Sequence, residues 1–186
     1  MKFMVNARDF RSALKGCEKS RSRDDNRPAL KYAQIVAKGD TVTLTALDGF
    51  LMVQYVLSTI GDTTPGEALI PPSLALIALH DIRINAIVEI DNGIMRVVTD
   101  LAITIALPTV EGEYIQHEKV WPNSDRPKVR ICVNPKLLMQ VVQALDVNNS
   151  MVFLEVPTDP LSAIVVSTSG DAFSTRGLVM PIRVRQ

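Results

Sequence analysis

Hydrophobic positions along this chain change period repeatedly, and one order of periods recurs three times. A short alternating segment leads into a helix start, an apolar helical stretch follows, and three β-like runs close each unit. In the first, Asn6 caps a predicted helix over 7–19, where Phe10, Leu14 and Cys17 share one face at spacings of four and three. Strands are predicted over 29–37, 41–46 and 51–57, punctuated by Lys38-Gly39-Asp40 and Asp48-Gly49. The second unit starts at 67–70, and Pro71-Pro72-Ser73 opens a helix over 74–80. Strands over 86–90, 94–98 and 103–107 follow, with Asp91-Asn92-Gly93 as a hairpin turn. The third starts at 128–133. Asn134 caps and Pro135 starts a helix through Leu145, which buries Leu138, Val141, Val142 and Leu145, and strands are predicted over 151–156, 163–167 and 178–184.

Residues 109–126 are rich in Pro, Gly and charge and read as a linker. The expected architecture is therefore α+β: repeated β-α-β-β-β modules, two forming a domain over 1–108 and a third forming half a domain over 127–186. A unit of roughly 60 residues repeated three times describes an array of like modules, not a single-core enzyme.

The chain has 186 residues and no formal net charge, with 20 basic and 20 acidic residues. Tight nucleic-acid binders carry a basic excess, so any DNA contact must be weak and non-specific, through a local basic face. The first helix offers one: Arg8, Arg11, Lys15 and Lys19 fall opposite its apolar side, and Lys136 opens the third helix. Such a stripe is also what an ordinary solvated helix face looks like. Cys17 and Cys132 lie in apolar periodic segments and read as two buried thiols in a reducing compartment. There is no signal-peptide pattern and no run approaching 18 apolar residues, so a cytoplasmic protein without membrane contact is expected. His80 and His117 have no metal-ligand spacing with the cysteines, and neither a phosphate loop nor a nucleophile elbow occurs. No catalytic group, metal or cofactor is expected.

The end of the chain, Val179-Met180-Pro181-Ile182-Arg183-Val184, is apolar where termini are normally polar and frayed. Either it packs internally as a last strand, or it is a docking surface. This segment resembles the C-terminal tail of the bacterial DNA polymerase sliding clamp (β subunit) family. Arg27-Pro28-Ala29-Leu30 is similar to that family's arginine followed by a leucine. Thr45-Ala46-Leu47-Asp48-Gly49-Phe50-Leu51-Met52 is similar to its Ala-Thr-Asp-Gly-His-Arg-Leu motif, with Phe50 and Leu51 in place of His and Arg. Val110-Glu111-Gly112-Glu113-Tyr114 and Glu118-Lys119-Val120-Trp121-Pro122 resemble the linker before the family's last domain.

The resemblance implies a clamp fold with the middle domain and the second half of the last domain: three modules, where a bacterial clamp subunit has six. It further implies a non-catalytic processivity factor for DNA polymerase. The clamp-binding peptides of polymerases or the clamp loader would enter a cleft with Leu30, Gly49, Phe50, Met52 and Pro122 on one wall and Leu178, Val179, Met180, Pro181, Ile182 and Arg183 on the other. Double-stranded DNA would be encircled by a homo-oligomer, a dimer or a tetrameric ring. A competing expectation is a phage or mobile-element decoy that captures such peptides without encircling DNA; a third is an unrelated α+β enzyme.

Overall fold

Two-residue turns and helix caps set the local structure of this chain. The computed structural model describes residues 1–80, 82–98, 103–110, 112–116, 119, 129–145, 151–169 and 174–182. The chain divides into two compact units, Met1–His117 and Glu118–Gln186.

In unit 1, β1 (Lys2–Asn6) runs into α1 (Ala7–Ser20), where the Asn6 side chain accepts from the N–H groups of Arg8 and Asp9. After a 3-10 turn (Pro28–Lys31) come β2 (Ala33–Lys38), β3 (Thr41–Leu47) and β4 (Met52–Ser58). The second module supplies β5 (Gly66–Ile70), α2 (Pro72–Ala78), β6 (Asn85–Asp91), β7 (Ile94–Val98) and β8 (Thr104–Pro108). The β6–β7 hairpin closes through Asn92 (φ 49) and Gly93 (φ 74), two positive φ values as the right-handed twist of the strands demands. Residues 29–32 do not extend β2 as the alternation suggested. Pro28 starts a helical turn instead, and the Leu30 carbonyl accepts from the Ser22 N–H.

The two modules are interlocked. The sheets run β4-β3-β2-β5 and β1-β6-β7-β8, so the leading strand of each module closes the sheet of the other. All pairings are antiparallel; Phe3 lies opposite Val88 and Ile70 opposite Ala33. One core results, shared by Phe3, Phe10, Leu14 and Cys17 from the first module and Ala75, Leu79, Val88 and Met95 from the second. Phe3 and Phe10 meet edge to face with centroids 6.0 Å apart. Full burial of a side chain of this size contributes about 1.5–3 kcal/mol. Burial also pushes the Cys17 thiol up to about 12.

A second link joins the helices. The Arg11 guanidinium donates to the carbonyls of Leu79 (2.6 Å) and Ile82 (2.7 Å), beyond the last turn of α2. The Leu79 carbonyl is at the C-cap of α2 and the Ile82 carbonyl lies in the loop just beyond it, where a cation also suits the dipole. The segment expected as linker begins inside this unit: Val110 bridges Leu69, and Tyr114 is buried.

Unit 2 holds α3 (Pro135–Leu145), β9 (Val152–Glu155), β10 (Ile164–Ser169) and β11 (Ser174–Val179), in a sheet of order β11-β10-β9. Its small core is Leu145, Ile164, Val166 and Val179, flanked by half-buried Ile131, Val133, Leu138, Val141 and Val142. Three expectations change here. Residues 129–133 form no strand, and Cys132 on that segment is exposed instead of buried. β11 starts earlier than the alternation suggested and ends at Val179, because Pro181 has no N–H to continue the ladder.

Gly177 on β11 permits the close approach of α3: a Cβ there would come within 2.7 Å of Val141 Cγ1 and 3.3 Å of Leu145 Cδ1. Gly177→Val is expected to destabilise unit 2 by about 1–3 kcal/mol through overpacking; an unchanged urea midpoint would show that α3 shifts without cost. Arg11→Met keeps the apolar stem and removes the carbonyl cap, and is expected to lower the stability of unit 1 by about 1–3 kcal/mol in chemical denaturation.

Candidate functional site

Asp48 follows the last residue of β3 and builds the most exposed apolar feature of unit 1. Its Oδ1 accepts from the N–H groups of Phe50 (2.8 Å) and Leu51 (2.9 Å), a local turn made by a short acidic side chain. Gly49 between them adopts φ +100, and a Cβ there would collide with Arg27 Nη1. That guanidinium lies over the turn and donates to the Asp48 carbonyl at 3.0 Å, with Asp24 3.7 Å from its Nε. The Asp48 carboxyl is held below its ordinary value of 3.8, first by the Leu51 N–H and then by the Phe50 N–H. A group lowered in this way stabilises the fold above pH 3.8 and releases that contribution as pH falls through the lowered value, so the turn is fully supported at neutral pH.

The turn carries the Phe50 ring outward, 94% exposed. Beneath this stretch lies a small apolar cluster of Leu30, Leu47, Leu69 and Tyr114, with Met52, Tyr32 and Val110 against it. The Tyr114 hydroxyl donates toward the carbonyls of Tyr32 and Thr45, each at 3.4 Å, and burial pushes the phenol up to about 12. Leu30 and Met52, singled out in the sequence, thus meet in one cluster. Leu30 is only 4% exposed and forms floor, not wall. Tyr114, Leu47 and Leu69 were missed. Tyr114 stands in a polar stretch that reads as linker, and its aromatic character was the one available signal.

In unit 2 the tail obeys the two-residue period of a strand. Val165 lies opposite Leu178 and Ile164 opposite Val179. Val179 therefore points into the core and is 2% exposed, which removes it from the predicted wall. Leu178, Met180 and Ile182 are 58%, 59% and 48% exposed. The backbone beyond the strand is held where the Ile182 N–H donates to the Cys132 carbonyl at 2.7 Å. Pro181 is half-buried. Pro122 and Arg183, also predicted for the cleft, lie outside the described residues.

The basic stripe is thinner than predicted. Arg8, Lys15 and Lys19 are exposed on α1, but Arg11 is occupied with the end of α2. Lys136 is exposed in the first turn of α3. Asp9 and Glu18 share α1 with these cations, and α2 exposes Leu74 and Ile77 where cations would have continued the stripe. Among the described residues, no group of three His, Cys, Asp or Glu side chains lies close enough to hold a metal ion. No described helix is long and apolar enough to cross a membrane.

No family model matches this sequence, and no curated protein matches it. Solved structures do. A DNA polymerase sliding clamp from Bacillus subtilis superposes with a TM-score of 0.79 at 14% identity, over 97% of this chain and 49% of that one. The DNA polymerase III beta subunit of Thermotoga maritima gives 0.80 at 15% identity, over 97% and 50%. The sliding clamp of Pseudomonas aeruginosa gives 0.79 at 14%, over 97% and 51%. This chain spans about half the length of these structures. At such identities the likeness speaks for backbone architecture alone, and over nearly its whole length the chain has the fold of the bacterial DNA polymerase sliding clamp.

Proposed function

We propose that the protein is a non-catalytic, clamp-like binding module that captures the short extended peptides by which DNA polymerases and clamp loaders hold sliding clamps. The observation that carries this reading is Phe50: a fully solvated aromatic ring on a turn fixed by Asp48, Gly49 and Arg27. A large apolar side chain held outward by a stiff turn is a pre-organised anchor, since little conformational freedom remains to be lost on binding. Leu178, Met180 and Ile182 offer a second apolar row, on a strand end whose alternate residue is locked in a core. A few such anchors carry most of the energy of peptide capture. Holding a polymerase in this way raises its effective concentration at a primer end without any chemistry of the module's own. An oligomer of the chain would encircle double-stranded DNA, with Arg8, Lys15, Lys19 and Lys136 making weak, non-specific phosphate contacts.

The thinned basic stripe favours a second reading, in which the module captures clamp-binding peptides without encircling DNA. The two differ in topology: a ring is retained on circular DNA and slides off linear DNA, whereas a capture module distinguishes neither.

Phe50→Ala, Leu178→Ala and Met180→Ala are each expected to weaken a clamp-binding peptide by about 1–3 kcal/mol in calorimetric titration. Removing 178–186 would also extract Val179 from its core, so the single substitutions are the cleaner test. Affinity unaltered in all three folded variants would refute the docking surfaces. Reversal of Arg8, Lys15 and Lys19 to Glu, leaving Arg11 in place, is expected to lower DNA association and flatten its salt dependence while peptide affinity persists. DNA binding that keeps its salt slope in that variant would return the stripe to an ordinary solvated helix face.

A further inference from the structure

Unit 1 shows how two modules complete each other. In both modules the first strand after the helix, β2 or β6, is flanked on its outer side by the other module's leading strand, β5 or β1. The third module repeats the same parts. Arg130-Ile131-Cys132-Val133-Asn134-Pro135-Lys136 follows Lys2-Phe3-Met4-Val5-Asn6-Ala7-Arg8 position by position. Asn134 accepts from the Lys136 N–H at 2.9 Å, as Asn6 does from that of Arg8. Yet among the described residues β9, the first strand after α3, pairs with β10 alone, and 129–133 joins no sheet. The segment is engaged on one side, where the Cys132 carbonyl accepts from the Ile182 N–H at 2.7 Å, but among the described residues neither it nor the outer edge of β9 is part of a ladder between them.

The helix agrees. By the same alignment Met139 takes the place of Arg11 and Leu76. In unit 1, Arg11 reaches across to the end of α2 and Leu76 packs on the shared core. Met139 is 56% exposed, and Leu154 on β9, opposite buried Val166 on the helix side of the sheet, is 54% exposed. Only four side chains of the unit are buried hydrophobics among its described residues.

We propose that the third module is completed by the third module of a second copy of this chain. Residues 129–133 of each copy add antiparallel to β9 of the other, and the two α3 helices pack through Met139. A second copy is the fitting occupant because the module carries both halves of the exchange. A two-fold axis then satisfies both at once, in a self-complementary contact. Charge permits it, since α3 bears a single charged residue, Lys136, and two copies meet without a like-charged cluster. An edge strand and an apolar helix face left open are features that soluble proteins ordinarily cover.

The test is the mass of the full chain by light scattering at tens of micromolar, with amide hydrogen exchange followed on dilution. The expected result is twice 20.4 kDa, with slow exchange at 129–133 and 152–155 that quickens as the protein is diluted. Met139→Glu is expected to raise the dimer dissociation constant at least tenfold and to abolish that protection, with unit 1 unfolding at its usual denaturant midpoint. Leu154→Lys, on the strand edge, is expected to do the same. A single-chain mass for the unaltered protein overturns the proposal, as does a dimer indifferent to both variants. Peptide titration on the same samples keeps the two readings apart: a dimer of this kind without peptide affinity overturns the docking surfaces alone.

Discussion

The exchange of leading strands between modules is the constraint on which the rest of this structure depends. A β-α-β-β-β module alone has three strands in its sheet and an open backbone edge next to its helix. β1 and β5 close those edges reciprocally, and by doing so they draw both helices over one core. The packing of Phe3 against Phe10, the burial of Cys17 and the reach of Arg11 to the end of α2 all follow from bringing the two modules face to face. Among the described residues, unit 2 is one such module: its strands pair, its helix docks over Gly177, and its buried core is Leu145, Ile164, Val166 and Val179.

The exposed apolar groups are of two physical kinds. Phe50 is exposed because a local hydrogen-bonded turn forces it outward. Nothing in the turn relaxes if the ring is covered, which suits a binding anchor. Leu178 and Met180 are exposed by alternation, as the outer faces of a strand end whose inner residue, Val179, is fixed in a core. Met139 and Leu154 differ from both. Met139 stands where Arg11 and Leu76 meet the other module in unit 1, and Leu154 lies on the helix side of the sheet, opposite buried Val166, so their exposure belongs to architecture and not to recognition.

Charge plays a smaller part than in a protein committed to nucleic acid. Equal numbers of acidic and basic residues leave no global field, and α1 divides its cations between solvent and the interior link made by Arg11. Any electrostatic attraction to a polyanion rests on a few exposed side chains and is readily screened by salt.

The features legible in the sequence were those set within a few residues. Asn6 and Asn134 announced helix starts because a short side chain accepts from N–H groups two or three positions ahead. Asp91-Asn92-Gly93 announced a hairpin because only such residues take two consecutive positive φ values readily. Phe10, Leu14 and Cys17 announced a buried helix face by spacing alone. The α+β class and the modular order followed from these local signals. What tertiary structure decided was everything set by which edge meets which. The resemblance names the whole run 178–183 as one wall, but the two-residue period of the strand turns Val179 into the core. A basic stripe shows which residues share a helix face but not that Arg11 finds carbonyls 68 and 71 residues away. An apolar segment such as 129–133 is strand-like by pattern, yet a strand exists only when another backbone supplies its hydrogen bonds, and that partner is not encoded in the segment itself.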